Sequence, residues 1–129
     1  MLRNVRISAK KILIVEDDPV IREYLEQILN DLDYRVDSCS SGAEAMSKIP
    51  ETCPNLILMD ILLPDADGLT LCQKIKKDDE TAHIPVIMIS CLSDSDTLRN
   101  ASSYGASDFI VKPFNQAELK EKIEKFIAS

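Results

Sequence analysis

Glycine is scarce in this sequence: three residues, at 42, 68 and 105, and none follows the first apolar run. Flavin and dinucleotide binders built from alternating strands and helices need a glycine-rich turn there, so that a helix N-terminus can meet phosphate. Glu16-Asp17-Asp18 stands there instead and would repel a phosphate, which argues against a nucleotide site. Histidine occurs once, and His83 reads as a loop residue rather than a ligand or phosphodonor. The cysteines at 39, 53, 72 and 91 have neither metal-ligand nor redox spacing. No disulfide framework is expected, Cys72 and Cys91 read as small buried hydrophobes, and a reduced, cytoplasmic protein fits best. Basic charge is also short, 15 Lys and Arg against 22 Asp and Glu, for a net charge of −7. No basic stripe is available to displace phosphate counterions, so no nucleic-acid binding is expected through this domain. Behind Arg3, Arg6 and Lys10 the apolar run is only four residues long, giving neither a signal peptide nor a membrane span.

What is present is a set of short apolar runs that each close on a polar residue. Lys11 to Val15 closes on Glu16, Asp17 and Asp18; Asn55 to Met59 closes on Asp60. Val86 to Ile89 closes on Ser90, and Phe109 to Val111 closes on Lys112. In an open parallel sheet the C-terminal strand edge is where ligands bind. At 129 residues, with no linker or composition shift, the chain fits one compact domain spanning 10–129 behind a short polar leader at 1–9.

The order is five strand-helix repeats. Asp18 is a candidate N-cap with Pro19 at the first helical position. Ile21, Leu25, Ile28, Leu29 and Leu32 mark one helical face, and Tyr34 to Ser38 alternates as a strand. Ser41 and Glu44 form a capping-box pattern ahead of a helix to about Ile49. After the Asp60 loop, Leu69, Cys72 and Ile75 mark another helix; a polar helix from about Asp94 to Tyr104 stops at Gly105. The last helix turns Leu119, Ile123, Phe126 and Ile127 inward. Strict alternation of short apolar strands with helices predicts an α/β fold: a doubly wound parallel sheet covered on both faces.

Carboxylates gathered on one strand edge call for a hard cation. Two like charges ~4 Å apart cost on the order of 4 kcal/mol at an effective dielectric of 20. Mg²⁺ relieves that repulsion with one or two carboxylates, waters and a phosphoryl oxygen. A carboxylate nucleophile attacking phosphorus also needs the incoming charge neutralised, which an ammonium and a hydroxyl can share with the metal.

Over about residues 10–128 the chain resembles the receiver domain of two-component response regulators. The resemblance is carried by Ile-Leu-Ile-Val-Glu16-Asp17-Asp18, Asp60-Ile-Leu-Leu-Pro64-Asp-Ala-Asp-Gly68, Ile-Ser90-Cys91 and Gly105-Ala-Ser-Asp-Phe109-Ile-Val-Lys112-Pro113-Phe114. It implies a flavodoxin-like (CheY-like) sheet of five parallel strands in the order 2-1-3-4-5, with five helices. It implies that Asp60 is the phosphoacceptor, Asp17 a direct Mg²⁺ ligand, and Glu16 a second acid acting through metal-bound water. The Leu62 carbonyl is similar to the third protein ligand. Lys112 would contact the phosphoryl group, Ser90 would follow it, and Phe109 would be the aromatic that turns inward when Ser90 moves. Lys112-Pro113 resembles a cis peptide.

The departures are Leu63 for a methionine, Cys91 for a small alanine, and Leu62 and Leu92 where polar residues are frequent. The two leucines at 62 and 92 are expected to hinder the attacking water and so lengthen the phosphoryl lifetime. Phe109 lacks a phenolic hydroxyl, so its switching would rest on packing. Taken singly, Asp60 could be a cap, Lys112 a solvated lysine, and Glu16 to Asp18 a capping cluster; their coincidence on one edge favours the site. Asp65, Asp67, Asp78, Asp79, Asp94 and Asp96 read as solvated loop and cap residues, and Tyr104 as packing at a helix end. A haloacid-dehalogenase-type hydrolase would carry a second acid at Leu62, and a pseudo-receiver used only for binding would lack the acids, hydroxyl or lysine.

The resemblance therefore implies a module phosphorylated by a histidine kinase or histidine phosphotransfer protein, not an enzyme turning over external substrates. Its output would be read on the face of helix 94–104, strand 108–111 and the last helix, by an unknown downstream protein or a fused output domain. Dimeric winged-helix regulators carry matched charges across that face; only Asp108 is similar, with Leu98 and Ser103 where charges would stand. Since the sequence ends on that helix, no DNA-binding output is expected within it.

Overall fold

The computed structural model describes residues 9–91 and 95–127, without the side chains of Ser95, Thr97 and Leu98. The expectations for the leader through residue 8, Leu92, Asp94 and the Leu98 side chain lie outside the described residues. The elements alternate as expected: β1 (Lys11–Val15), α1 (Pro19–Asp31), β2 (Arg35–Cys39), α2 (Gly42–Thr52), β3 (Leu56–Asp60), α3 (Gly68–Lys77), β4 (Val86–Ser90), α4 (Ser95–Ser103), β5 (Asp108–Val111) and α5 (Gln116–Glu124). All strand pairs are parallel and the order is β2-β1-β3-β4-β5.

Side-chain alternation along the strands divides the core in two. Leu13, Val15, Ile57, Met59 and Met88 face α2 and α3, meeting Ala45, Ile49, Leu71, Cys72 and Ile75. Ile12, Ile14, Leu56, Leu58, Ile87 and Ile89 face the other way, onto Leu25, Ile28 and Leu29 of α1 and Leu119 and Ile123 of α5. Every residue of β3 and β4 is buried, as expected of central strands covered on both faces. That burial takes in Asp60 and Ser90, so the edge that carries the polar residues is built on the most deeply buried strands of the sheet.

Asp60 itself closes β3, as expected. Several local details differ from the sequence reading. Tyr34 precedes β2, buried, with its N–H donating to the Leu29 carbonyl. The helix expected to stop near Ile49 runs through Pro50 to Thr52, because Cys53 adopts a left-handed conformation (φ 48°) and its N–H closes the last turn on Ile49. Glu44 reaches back to the Ser40 N–H rather than to that of Ser41, whose hydroxyl caps the Glu44 N–H as expected. A reciprocal capping box forms instead at α5, between Asn115 and Glu118. Cys91 is exposed, not buried, since it follows the end of β4; Cys72 is buried as expected. Phe126 is also largely outside the core, because α5 ends at Glu124 and the chain turns after it.

Gly68 shows how closely the structure packs behind Asp60. A Cβ there would lie 2.1 Å from the Asp60 carbonyl oxygen and 2.9 Å from the Ile61 Cα, both backbone atoms that cannot step aside. Its own N–H donates to the Ile61 carbonyl at 2.7 Å, folding α3 directly against the end of β3. Only the absence of a side chain permits that approach.

Candidate functional site

Four strand ends meet at the C-terminal edge of the sheet. The register places Asp60 beside Ile89, so Ser90 stands one residue further along the neighbouring strand, and Ser90 in turn pairs with Val111. The Lys112 N–H continues that ladder to the Ser90 carbonyl at 2.8 Å, and a cis Lys112–Pro113 peptide follows, as expected. The Lys112 side chain then crosses β4 to the centre of the edge. Its Nζ lies 3.2 Å from Asp60 Oδ2 and 3.0 Å from Glu16 Oε1.

Glu16 is fully buried, and its Oε1 makes no hydrogen bond, the Lys112 contact being an ion pair without hydrogen-bond geometry. Its other oxygen accepts from the Asp18 N–H at 3.1 Å. Burial pushes the Glu16 carboxyl up to about 7; Lys112 partly offsets that shift and the neighbouring Asp60 adds to it. Lys112 is raised above its ordinary value: burial works against its charge, but Glu16 and Asp60 outweigh it.

Asp17 is exposed, yet one oxygen from each of Glu16, Asp17 and Asp60 lies within 4.8 Å of the others. Three carboxylates converging beside one ammonium, with a buried Glu16 oxygen that takes no hydrogen bond, are an oxygen-only donor set that fits a hard divalent cation such as Mg²⁺. Leu62, expected to offer its carbonyl, sits where the Leu62 N–H donates to Asp60 Oδ1 at 3.2 Å, and its side chain is 64% exposed.

Two contributors escaped the sequence reading. Asp65, read as a solvated loop acid, instead accepts from the Gly42 and Ala43 N–H groups at 2.8 and 3.0 Å. It caps α2 from across the site and thereby ties down the loop that follows Asp60; those two N–H groups hold its carboxyl below the usual range. Nothing local in the sequence marks it, because the helix it caps starts 23 residues earlier. Arg22, which no sequence pattern singled out, donates from Nη1 to the Glu16 and Asp17 carbonyls at 2.8 and 3.4 Å. Asp67, by contrast, caps α3 through the Leu69 N–H, the local role such residues were expected to play.

Away from the edge, Asp108 on β5 is paired within the chain to Lys122 of α5 at 3.3 Å. The Lys122 ammonium also sits 5.5 Å from the Phe109 ring centroid. Phe109 and Tyr104 are both partly buried against the α2–α3 side of the core.

Comparison with known proteins agrees with this geometry. A model of the response regulator receiver domain matches residues 12–124. The transcriptional regulatory protein CrdR of Helicobacter pylori is 38% identical over 117 residues, covering 91% of this chain and 54% of CrdR. The DNA-binding dual master transcriptional regulator RpaA of Synechocystis is 32% identical over 91% of this chain and 48% of its own length. The chain thus spans about half the length of the curated relatives it matches. Among solved structures, a putative response regulator from Chloroflexus aurantiacus superposes with a TM-score of 0.89 at 32% identity, covering 92% of this chain and 98% of that one. The receiver domain of a Pseudomonas aeruginosa sensor histidine kinase gives 0.86 at 30% identity, covering 95% and 100%; that protein holds a magnesium ion in its active-site cleft. No helix among the described residues is long and apolar enough to cross a membrane.

The raised Glu16 carboxyl makes a linkage prediction. Its folded value, about 7, exceeds that of an unfolded carboxyl, so its contribution is fully present below about pH 4.5 and is lost as pH rises through 7. Of the groups shifted elsewhere, Asp65 and Glu44 are lowered, away from that window, and Cys39 and Cys72 are raised to about 11. Urea unfolding of Mg²⁺-free protein should therefore show stability falling from pH 5 to pH 8, by on the order of 2 kcal/mol more than in Glu16→Gln. Parallel pH profiles for the two proteins would contradict the assignment.

Proposed function

The chain belongs to the response regulator receiver family, and from that premise we propose that residues 10–129 form a phosphoacceptor receiver, with residues 1–9 as a leader. Asp60 takes the phosphoryl group from a histidine kinase or a histidine phosphotransfer protein. The observation that carries this reading is the Lys112 ammonium held 3.0 Å from Glu16 and 3.2 Å from Asp60, at an edge where Asp17 adds a third acid. Asp17 and Asp60 would hold Mg²⁺ directly, with the Leu62 carbonyl, and Glu16 would act through metal-bound water. When bound, the cation neutralises part of the phosphoryl charge as the nucleophile approaches.

The chain's own groups do the rest. One Asp60 oxygen attacks phosphorus; the bond from phosphorus to the donor nitrogen breaks, and the donor imidazole keeps that electron pair. Lys112, already at Asp60, shifts its ammonium onto a phosphoryl oxygen, and the Ser90 hydroxyl serves another. Phosphorylation adds roughly −1.5 to −2 charges where a single carboxylate stood. Moving Ser90 and Lys112 toward that charge pulls on β4 and β5. The change is read on the face of α4, β5 and α5, with Phe109 packing inward as Ser90 moves. An unknown downstream protein, or an output domain fused to the receiver, reads that face; this domain itself contacts neither nucleic acid nor membrane.

Acetyl phosphate with Mg²⁺ tests the assignment by peptide mass spectrometry. Label should appear on the Asp60 peptide, vanish in Asp60→Asn, and form roughly 100-fold more slowly in Lys112→Ala. Label that persists in Asp60→Asn would overturn the assignment, and an unlabelled wild type would identify a pseudo-receiver. Continuous turnover of a small phosphate ester would instead indicate a hydrolase.

The exposed Leu62 side chain makes a separate claim about lifetime. An apolar group at the mouth of the site cannot orient the water that attacks the phosphoryl group, so Leu62→Asn should lose its label faster than wild type. Decay of purified phosphoprotein measures this; slower decay in the variant would contradict it.

A further inference from the structure

Arg22 stands on the first turn of α1, and its guanidinium reaches back over the loop that carries the acids. Its backbone N–H bonds the Asp18 carbonyl at 2.9 Å, as an ordinary helical residue would. Its side chain does something a helix does not require. Nη1 donates to the Glu16 carbonyl at 2.8 Å and, more weakly, to the Asp17 carbonyl at 3.4 Å. In an extended strand consecutive carbonyls point to opposite sides, so one nitrogen can reach both only where the chain departs from that geometry.

The same departure matters for the acids. Glu16 still belongs to the sheet, since its N–H donates to the Cys39 carbonyl at 3.1 Å. Were the strand to continue, the side chains of Glu16 and Asp17 would face opposite ways. Instead both present an oxygen to Asp60. Arg22 bonds the two carbonyls that flank this break and leaves the carboxylates alone. Lys112 does the opposite, occupying Glu16 Oε1 and Asp60 Oδ2. A guanidinium suits the task because its charge is permanent and its donors are fixed in a planar fork.

We propose that Arg22 is a positioning residue for the cation site: it holds the β1–α1 turn in the conformation that turns two successive acids toward Asp60. The inference rests on the Mg²⁺ reading above. It differs from a simple structural role in what it predicts, because the acids should lose their convergence even where the fold persists.

Calorimetric Mg²⁺ titration of the full chain, as wild type, Arg22→Ala and Arg22→Lys, tests this alongside amide hydrogen exchange in Mg²⁺-free protein. Arg22→Ala should raise the Mg²⁺ Kd roughly tenfold. Arg22→Lys should recover part of that loss, since an ammonium can still reach one carbonyl. The Asp18 N–H, bonded to Glu16 Oε2 at 3.1 Å, should exchange faster in Arg22→Ala while core amides of β3 and β4 stay protected. An unchanged Kd, or a weakened Kd with Asp18 exchange unaltered, would overturn the inference while leaving the Mg²⁺ reading intact. A wild type that binds no Mg²⁺ would overturn that reading and this inference with it.

Discussion

One ammonium group organises this molecule's working edge. Lys112 enters from β5, crosses the end of β4 and settles between Glu16 of the β1 end and Asp60 of β3. Without it, the buried acids would face each other across a medium that screens charge poorly, and removing one partner of a buried charge set costs several kcal/mol. With it, the edge still carries more negative charge than positive, because Asp17 and Asp60 approach within 4.8 Å of Glu16. Burial first and the neighbouring Asp60 after it drive the Glu16 carboxyl up to about 7, and Lys112 offsets only part of that shift. A site left short of positive charge is suited to receive a cation, and a phosphoryl group along with it.

The sheet exists to hold that balance at fixed distances. β3 and β4 are buried along their whole length, so Asp60 and Ser90 sit on strands with little freedom to drift. Around this rigid edge the loops are tied by single side chains from other elements. Asp65 binds the loop after Asp60 to the start of α2, and Arg22 binds the loop after β1 to α1. Gly68 lets α3 press against the Asp60 carbonyl where any side chain would collide. Each tie crosses between elements, so the site is a property of the whole C-terminal edge rather than of one motif.

That pattern explains what the sequence disclosed and what it concealed. Strands β1, β3 and β4 were legible as four-residue apolar runs, because central parallel strands are buried on both faces and leave no room for polar alternation. Asp60 was legible for the same reason, being the first polar residue after such a run, and Lys112 follows the shorter apolar run of the edge strand β5. Caps supplied locally, such as Asp18 and Asp67, followed from spacing alone. Asp65 did not, because its partners lie 23 and 22 residues away and only the folded sheet brings them together. Arg22 was not singled out, because its acceptors are backbone carbonyls, which no residue pattern encodes. Cys91 and Phe126 were misplaced inward because apolar character was weighed without knowing where β4 and α5 end.

If burial and the neighbouring Asp60 hold the Glu16 carboxyl up to about 7, supplying a divalent cation must drive its proton off. Calorimetric Mg²⁺ titrations at pH 7 in two buffers of different ionisation enthalpy measure the proton count directly. Wild type should release a sizeable fraction of one proton per Mg²⁺ bound, and Glu16→Gln should bind Mg²⁺ with no buffer-dependent heat. Identical heats in the two buffers for the wild type would contradict the account of how this edge is charged.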